Sequence, residues 1–315
     1  MSDTRFLTLT TRRAAAFLLS FLFSTLTLAD APGMSPDSGI PWLVDMRRAA
    51  SELDYQGIVV YMKDQQLDSF KLLHGNLEGQ ERERLIALNS PLREVVRTAG
   101  NVAFYSADAS QVVVETKPSN RSVLLDLPDD PSVLSRYYRV GLRGQEYVAG
   151  RLAQVVVLEP RDSFRYSRII WVDAESKLPL KLDVLNEEGQ SVEQMAFVSL
   201  TLVKAGSSQD FEPAVRQGRT ISSISHREST PLGALNWTLK DVPDGFQIVS
   251  YFKTKRPATD NLVEHILLSD GFASVSVYIE KSNGTTASKE RKAGAINIES
   301  LVTDGYTVTV MGEVP

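Results

Sequence analysis

The chain has 315 residues, three histidines, no cysteine and a net charge of −5 at pH 7. Without cysteine, a disulfide scaffold, a zinc ribbon, an iron–sulfur cluster and a thiol nucleophile are all excluded. A net negative charge with only short basic runs argues against a nucleic-acid-binding protein.

Residues 1–29 have the composition of a secretory signal peptide. Arg12 and Arg13 precede an apolar stretch over residues 14–28, and small residues at 27 and 29 lie before Asp30, where cleavage is expected. A membrane anchor would need about 20 apolar residues, so cleavage is the favoured interpretation. Removal of this segment takes away three arginines and one aspartate, which changes the net charge from −5 to −7. We expect the mature protein to be soluble and periplasmic.

Residues 41–204 are predicted to form one mainly β domain, after a disordered leader at residues 30–40. Apolar residues at 42, 46, 49, 50 and 53 have helical spacing, with Pro41 in the first turn. Beyond this helix the apolar residues alternate, and turn pairs such as Glu78-Gly79 separate the segments. The predicted strands cover residues 57–62, 69–73, 92–97, 102–105, 111–116, 153–158, 168–172, 179–185 and 193–203, with a short helix over 131–138. Strands without alternating helices favour one large antiparallel sheet flanked by a few helices.

Residues 205–232 are polar, small and aperiodic, which is typical of a linker. Residues 233–315 are predicted to form a second, smaller β-rich domain. Its predicted strands cover residues 237–239, 247–253, 262–268, 273–280 and 306–312, with hairpin turns at Asp244-Gly245, Asp270-Gly271, Asn283-Gly284 and Asp304-Gly305. The fold class is therefore mainly β, of the α+β type.

The sequence contains none of the common catalytic motifs. It has no Gly-x-Ser-x-Gly elbow, no His-Glu-x-x-His and no glycine-rich phosphate loop. His74, His226 and His265 are scattered, so they are better explained as surface or strand-face histidines than as a triad or a metal site. The carboxylate pair Asp129-Asp130, between Pro128 and Pro131, is better explained as a cap of the following helix than as a glycosidase pair. We predict no catalytic residue, no metal and no cofactor, although a hydrolase with a dispersed site stays open.

Two basic runs lie in the second predicted domain, at residues 253–256 and 289–292. Each is either a solvated face or a contact for an acidic or phosphate-bearing partner. A solvated face is the favoured explanation of any single run, and the occurrence of two runs in one small domain of an acidic protein narrows that preference slightly. The candidate partner- or anion-binding residues are Lys253, Lys255, Arg256, Arg291 and Lys292.

Six segments, read in order after a signal peptide, resemble one family. They are GQEYVAGR at residues 144–151, PRDSFRY at 160–166, WVDAESKLPLK at 171–181, VPDGF at 242–246, SDGFASVSVYIE at 269–280 and VTVMGEVP at 308–315. Over roughly residues 42–315 the chain is similar to the RseB/MucB regulators of the envelope-stress sigma factor. Members of that family usually continue into a short amphipathic helix beyond the last of these segments, whereas this sequence ends at Pro315.

The resemblance implies a fold and a function. The first domain would be similar to the LolA/LolB lipoprotein carriers, with an open antiparallel half-barrel and helices that cover an apolar cavity. The protein would be a negative regulator of the envelope stress response. It would bind the periplasmic domain of a membrane-spanning, RseA/MucA-like anti-sigma factor, shield it from site-1 proteolysis, and be released by a lipid or lipopolysaccharide.

A cavity for acyl chains would be lined by aromatic and branched side chains on curved strands. The candidate lipid-cavity residues are Phe70, Leu72, Trp171 and Leu182, and the register of each strand decides which of them face the cavity. The main alternative function is a periplasmic lipoprotein or lipid carrier, which the first domain alone would suit equally. The sequence leaves open the identity of the ligand and the oligomeric state, including a homo-oligomer.

Overall fold

A computed structural model describes residues 37–89, 93–98, 100–105, 111–116, 127–204, 207–213, 223–227, 230–255, 261–282 and 289–315. The predicted signal peptide, Arg256 and the Asn283-Gly284 turn lie outside these ranges. The described residues belong to one compact unit. Within them, no helix has both the length and the apolar composition needed to cross a membrane.

The described elements are one α-helix, eighteen strands and three short 3-10 helices. Helix α1 spans Ile40–Glu52. Strands β1 to β11 span Tyr55–Lys63, Gln66–Leu77, Gln80–Ala87, Glu94–Thr98, Asn101–Tyr105, Gln111–Thr116, Tyr138–Val148, Arg151–Pro160, Ser167–Asp173, Pro179–Leu185 and Ser191–Leu202. Strands β12 to β18 span Ser223–Arg227, Gln247–Lys255, Leu262–Ser269, Ser274–Lys281, Lys289–Ala293, Ile296–Thr303 and Tyr306–Gly312. The 3-10 helices span Pro131–Arg136, Ser208–Phe211 and Leu232–Ala234.

The first sheet has twelve strands in the order β12-β6-β5-β4-β3-β2-β1-β11-β10-β9-β8-β7. Strand β1 pairs with β2 on one side and with β11 on the other, so it joins two antiparallel meanders. Strand β12 pairs with β6 in parallel. Because the order does not close on itself, the sheet is open. The second sheet has six antiparallel strands in the order β13-β14-β15-β18-β17-β16. The prediction of a mainly β fold with a large open antiparallel sheet and a smaller C-terminal sheet is confirmed.

Helix α1 covers one face of the first sheet, which we call the α1 face. Its buried residues are Leu43, Met46 and Ala49, spaced by three, so they form one stripe along the helix. Leu43 and Met46 pack on β7 to β9, whereas Ala49 packs on β1, β2 and β11. The helix predicted after Pro41 is thereby confirmed. The cap predicted for the pair Asp129-Asp130 is also confirmed. Asp130 is the capping residue, because its carboxylate accepts a hydrogen bond from the Ser132 N–H at 2.9 Å.

Several hairpins turn through residues with positive φ, as the two-residue turns of type I′ require. Glu78-Gly79 has φ angles of 55° and 78°, and Asp304-Gly305 has 50° and 80°. Both pairs were expected to be turns from their sequences. Ala149-Gly150, with 50° and 73°, makes a similar turn between β7 and β8. Glycine at the second position permits the left-handed conformation at little cost.

Five strands lie outside the predicted ones, namely β3, β7, β12, β16 and β17. Strands β3 and β16 are highly charged, so neither shows the alternation of apolar residues expected of a strand. The predicted helix over 131–138 is shorter than expected, since the 3-10 helix ends at Arg136 and β7 begins at Tyr138. In the segment predicted to be a linker, residues 205–232, the described part includes β12, the 3-10 helix over Ser208–Phe211 and the first residue of the one over Leu232–Ala234.

The predicted strand over 237–239 was wrong. These residues form neither helix nor strand, yet Trp237 and Leu239 pack against the core of the second sheet. The Trp237 ring lies 5.0 Å from that of Tyr306, nearly perpendicular to it. Alternating apolar residues show only that one side of a segment is buried. An irregular segment that lies across a sheet has the same pattern, so the pattern alone did not distinguish it from a paired strand.

Candidate functional site

Three of the four candidate lipid-cavity residues lie on the α1 face. Leu72 is fully buried in a cluster that includes Ala49 of α1, and Leu182 packs against the same cluster. Phe70 is half-buried and lies two residues before Leu72 on β2, so it shares the same side of the sheet. These three residues therefore share the surface that faces the helix.

Trp171 lies on the opposite face, which corrects the grouping of the four residues. Its neighbours Ile170 and Val172 pack with α1, whereas Trp171 packs with Val155 and Leu180 beneath the sheet. The indole N–H donates to a Glu146 carboxylate oxygen at 2.8 Å. Because side chains alternate along a strand, a choice that is off by one residue places the side chain on the wrong face.

The α1 face continues beyond the helix in a row of apolar residues that the sequence did not reveal. The cross-strand pairs run from Leu72 to Leu85, then to Val95 and Phe104. Leu85 and Val95 are half-buried, and Phe104 is 38% exposed. The row therefore becomes more accessible with distance from α1. Its members could be identified only from the register of β3, a strand that was not predicted.

The basic residues of β13 lie on one edge of the second sheet. The Lys253 ammonium lies 3.8 Å from a Glu264 carboxylate oxygen and 5.5 Å from the centre of the Tyr251 ring. A hydrogen bond with Tyr251 raises the pKa of Lys253 above its ordinary value. Lys255 is exposed, and Arg256 lies outside the described residues. Lys253 is thus already engaged within the protein, and Lys255 is the more accessible cation.

Arg291 and Lys292 lie on β16, at the opposite edge of the same sheet. Both are exposed, and they border a cleft of about 560 Å³ that is also lined by the acidic residues Glu187, Glu188 and Glu290. Five strand spacings separate β13 from β16, which corresponds to about 24 Å. The structure therefore places the two basic runs on separate surfaces.

A buried arginine joins the two sheets. The Arg165 side chain has no exposed surface, and its Nε donates to a carboxylate oxygen of Asp270 at 2.6 Å. Its Nη2 donates to the backbone carbonyl of Asp244 at 2.6 Å, and Nη1 donates to Asp162. The guanidinium lies between the rings of Tyr137 and Phe246, 4.6 and 4.8 Å from their centres. We call these residues the Arg165 joint.

The Arg165 joint brings together three of the segments by which the chain was recognised, at residues 160–166, 242–246 and 269–280. Phe272, in the third of them, enters the core under α1, where its ring lies 6.1 Å from that of Tyr138. The Arg168 guanidinium carbon lies over the Phe272 ring, 4.3 Å from its centre. Sequence reasoning did not identify Arg165, because its partner Asp270 is 105 residues away.

A second contact between the sheets involves the turn between β16 and β17. The Gly294 N–H donates to an Asp64 carboxylate oxygen at 2.7 Å, and the Ala295 N–H donates to Glu193 at 3.1 Å. Glu193 also accepts from the Tyr61 hydroxyl at 2.9 Å. Burial and the Glu193 charge raise the pKa of Tyr61, so this hydroxyl stays protonated and remains a donor. Glu193 alternates with Met195 on the α1 face, so the second sheet contacts the face that α1 covers.

One group of ligand-type side chains among the described residues could be considered for a metal, namely His74, Glu81 and Glu83. Arg97 forms ion pairs with both glutamates. Both carboxylates of the group therefore already contact a cation of the chain itself.

Comparisons with known proteins agree along nearly the whole chain. The profile of the MucB/RseB N-terminal domain matches residues 38–215, and that of the MucB/RseB C-terminal domain matches residues 231–315. The "Sigma-E factor regulatory protein RseB" of Salmonella typhimurium is 29% identical over 305 residues, covering 95% of this chain and 93% of the relative. The "Sigma factor AlgU regulatory protein MucB" of Pseudomonas aeruginosa is 29% identical over 297 residues, covering 92% and 90%.

The solved structures agree with the sequence comparisons. The crystal structure of MucB in complex with MucA(peri) matches with a TM-score of 0.68 and 30% identity, covering 87% of this chain and 93% of that one. The complex structure of Pseudomonas aeruginosa MucA/MucB matches with a TM-score of 0.69 and 29% identity, covering 88% and 94%. Since the two family profiles together include both sheets, this chain belongs to the MucB/RseB family of sigma-factor regulatory proteins.

Proposed function

We propose that this protein is a negative regulator of the envelope stress response that binds the periplasmic domain of a membrane-spanning anti-sigma factor. One observation carries the proposal. The chain matches, over 87% of its length and with a TM-score of 0.68, a MucB whose structure was determined in complex with MucA(peri). Because the match includes both sheets, a partner surface formed by either of them has a counterpart here. In this proposal the protein acts by binding and catalyses no reaction.

The proposal places the protein in the periplasm after removal of residues 1–29. Residues 41–204 then form a lipid-cavity domain and residues 233–315 form a partner-binding domain. A basic n-region followed by a 15-residue apolar stretch supports export. N-terminal sequencing of the protein from a periplasmic extract should begin at Asp30, and a mature protein that retained Arg12 and Arg13 would contradict this part.

The basic residues of the second sheet are proposed to contact acidic groups of the partner. They are Lys253, Lys255, Arg256, Arg291 and Lys292. Because the described members occupy opposite edges about 24 Å apart, an extended peptide would need about seven residues to span them. A shorter acidic segment would contact one edge alone. Charge-assisted hydrogen bonds at either edge would weaken with added salt, since exposed charges are screened.

Binding would protect the anti-sigma factor by mass action. A site-1 protease cleaves only the free form if the bound segment is inaccessible. With the regulator at 100 times its Kd, about 1% of the partner remains free, and the cleavage rate falls in proportion. The inhibition therefore needs no contact between the regulator and the protease.

A lipid or lipopolysaccharide ligand is proposed to act at the α1 face and to release the partner. Phe70, Leu72 and Leu182 lie there, whereas Trp171 is left out because it packs on the other face. Leu72 is covered by α1, so an acyl chain would first meet the accessible end of the row at Phe104. Release requires the ligand to bind more tightly to a conformation with low affinity for the partner.

The test is a protection assay with purified components. The periplasmic domain of a MucA- or RseA-like anti-sigma factor is incubated with the site-1 protease, with and without an excess of the mature protein. We expect cleavage to slow at least tenfold, and to recover when lipopolysaccharide is added. Unchanged cleavage together with no complex in native mass spectrometry would overturn the proposal. Retained lipid or lipoprotein in the same spectra, without protection, would instead support a carrier.

A further inference from the structure

Strand β7 is the last strand of the first sheet, so one of its edges has no neighbouring strand among the described residues. At the beginning of this edge, the Val140 carbonyl accepts a hydrogen bond from the Gly39 N–H at 3.2 Å. Farther along the strand, residues 143–147 are all exposed. They overlap the segment GQEYVAGR, one of those by which the chain was recognised, and the proposed function makes no use of them.

The backbone groups that point outward from β7 can be identified from its hydrogen bonds. In an antiparallel ladder, alternate residues direct their N–H and C=O groups to opposite edges. Val140 points outward, and Leu142 therefore does so too. The turn Ala149-Gly150 has two residues, so the pair that flanks it is bonded between β7 and β8, and Tyr147 and Gln145 point outward. Among the described residues, no backbone group bonds to Leu142, Gln145 or Tyr147 on this edge.

The outward residues are unevenly spaced because β7 contains a bulge. Its register against β8 shifts between Arg143 and Gln145, where Gly144 is the extra residue and has a φ of 30°. A bulge places two residues of one strand opposite one residue of its neighbour. Along the open edge, two residues therefore separate Leu142 from Gln145, whereas one residue separates Gln145 from Tyr147.

We propose that this edge pairs with the same edge of a second copy of the protein, antiparallel and about a two-fold axis at Gln145. In the reversed strand the outward residues follow in the opposite order, so Leu142 meets Tyr147 of the second copy. The two-residue gap of each copy then lies opposite the one-residue gap of the other, which is the pattern of a β-bulge. Such an isologous dimer uses one surface of each copy and goes beyond the proposed function.

The apolar side chains of the edge fit this pairing. Leu142 packs against the core under α1. Leu152 alternates with Ala153, which packs on the opposite face, so Leu152 and its cross-strand neighbour Tyr147 lie on the α1 face as well. Tyr147 is 75% exposed and Leu152 is 37% exposed. In the dimer, each tyrosine lies beside Leu142 of the other copy, and aromatic–aliphatic cross-strand pairs stabilise paired strands.

The charges on the other face of the edge are complementary to themselves. Arg143 and Glu146 lie opposite Val155 and Ala153 of β8, on the face away from α1. The Arg143 Nη2 lies 3.6 Å from a Glu146 carboxylate oxygen, and both side chains are about half exposed. The two-fold axis places Arg143 of each copy opposite Glu146 of the other, which forms two pairs of opposite charge. This match of the strand with itself favours a second copy over an unrelated extended peptide.

The test is a charge exchange, with the mass of the mature protein measured by sedimentation over a range of concentrations. We expect the wild type to dimerise as its concentration rises. Arg143→Glu and Glu146→Arg each place like charges opposite one another twice, so each should raise the dimer dissociation constant about tenfold. An equal mixture of the two variants should recover the dimer, because its cross-strand charges are again opposite. Arg139→Glu is the matched control, since Arg139 is similarly exposed on the same strand but lies before Val140, and it should leave the constant unchanged.

Hydrogen exchange of the backbone amides locates the interface. The N–H groups of Gln145 and Tyr147 should exchange more slowly at concentrations where the wild type dimerises, and Arg143→Glu should remove this protection. A monomeric wild type, a mixture that associates no better than either variant alone, or a dimer with both amides unprotected would overturn the proposal. Protection that arises in a monomer only when the periplasmic domain of the anti-sigma factor is added would also overturn it, and would assign the edge to that partner.

Discussion

Arg165→Met removes the charge at the centre of the Arg165 joint and keeps an apolar side chain of similar length. The variant leaves the buried Asp270 without its ion-pair partner. Removal of one member of a buried pair costs about 3–5 kcal/mol, because the remaining charge is not compensated. One oxygen of Asp270 still accepts from the N–H groups of Phe272 and Ala273, at 2.8 and 2.7 Å. This places the expected ion-pair cost near the lower end of that range.

The loss of the stacked guanidinium adds to this cost. Arg165 lies 4.6 and 4.8 Å from the ring centres of Tyr137 and Phe246. Each desolvated cation–π contact contributes about 0.5–2 kcal/mol, and a methionine retains part of the dispersion energy. We therefore expect the free energy of unfolding to fall by about 4 kcal/mol. A typical protein has about 5–15 kcal/mol, so the effect is large.

Urea unfolding of the mature protein measures this difference. Arg161→Met is the matched control, because Arg161 is exposed and its Nε donates only to the Ser135 carbonyl, at 3.1 Å. A change within about 0.5 kcal/mol is expected for the control. Asp270→Asn added to Arg165→Met should recover part of the loss, because it removes the uncompensated charge. If Arg165→Met alone stays within about 1 kcal/mol of wild type, the joint does not stabilise the fold as argued.

Three further predictions concern other parts of the structure. Gly294→Ala should lower the free energy of unfolding more than Gly305→Ala. Both glycines have positive φ, but a Cβ at Gly294 would lie 2.7 Å from a Glu193 carboxylate oxygen, whereas one at Gly305 would have no atom within 4 Å. Equal decreases in the free energy of unfolding for the two variants would contradict this reasoning. Lys253→Glu and Arg291→Glu test the two edges of the second sheet as partner-binding surfaces at low salt. If the partner contacts one edge, only one variant should raise the Kd markedly, and if a peptide spans both edges, the two variants should raise it equally. Unchanged Kd values for both variants would exclude both edges as partner-binding surfaces. Asp173→Asn should make the free energy of unfolding fall less steeply than that of the wild type as the pH is lowered through the acid range. Hydrogen bonds outweigh burial and hold the pKa of Asp173 below its ordinary value, so its contribution is present above that value and lost as the pH falls. Unchanged acid sensitivity would contradict this.

Local sequence patterns were sufficient for α1 and for most hairpins, because periodicity and turn chemistry act within a few residues. They did not predict β3, because its sequence QERERLIA is typical of an exposed, charged segment and lacks alternating apolar residues. Glu83 is nevertheless buried there, because Arg97 neutralises it from the next strand, 14 residues away. A buried charge is acceptable only with its partner, and the partner is set by the register of the sheet. The face on which Trp171 lies was not predictable for the same reason, since the side of the sheet it faces depends on that register.

The position of the Arg165 joint limits how the proposed lipid ligand would release the anti-sigma factor. A ligand that separated the two sheets would have to offset about 4 kcal/mol at the joint, which requires it to bind the separated form roughly a thousandfold more tightly. A ligand that enters the α1 face near Phe104 meets no such cost, because that residue is partly exposed and distant in the sheet order from the joint. Its binding would act on α1, which packs in a core that also contains Phe272 from the turn between β14 and β15. Arg165→Met therefore separates the two routes. If release requires the sheets to part, the variant should release the partner at far lower lipid concentrations than wild type. If release acts through α1 alone, the two proteins should respond at the same concentration, whatever their difference in stability.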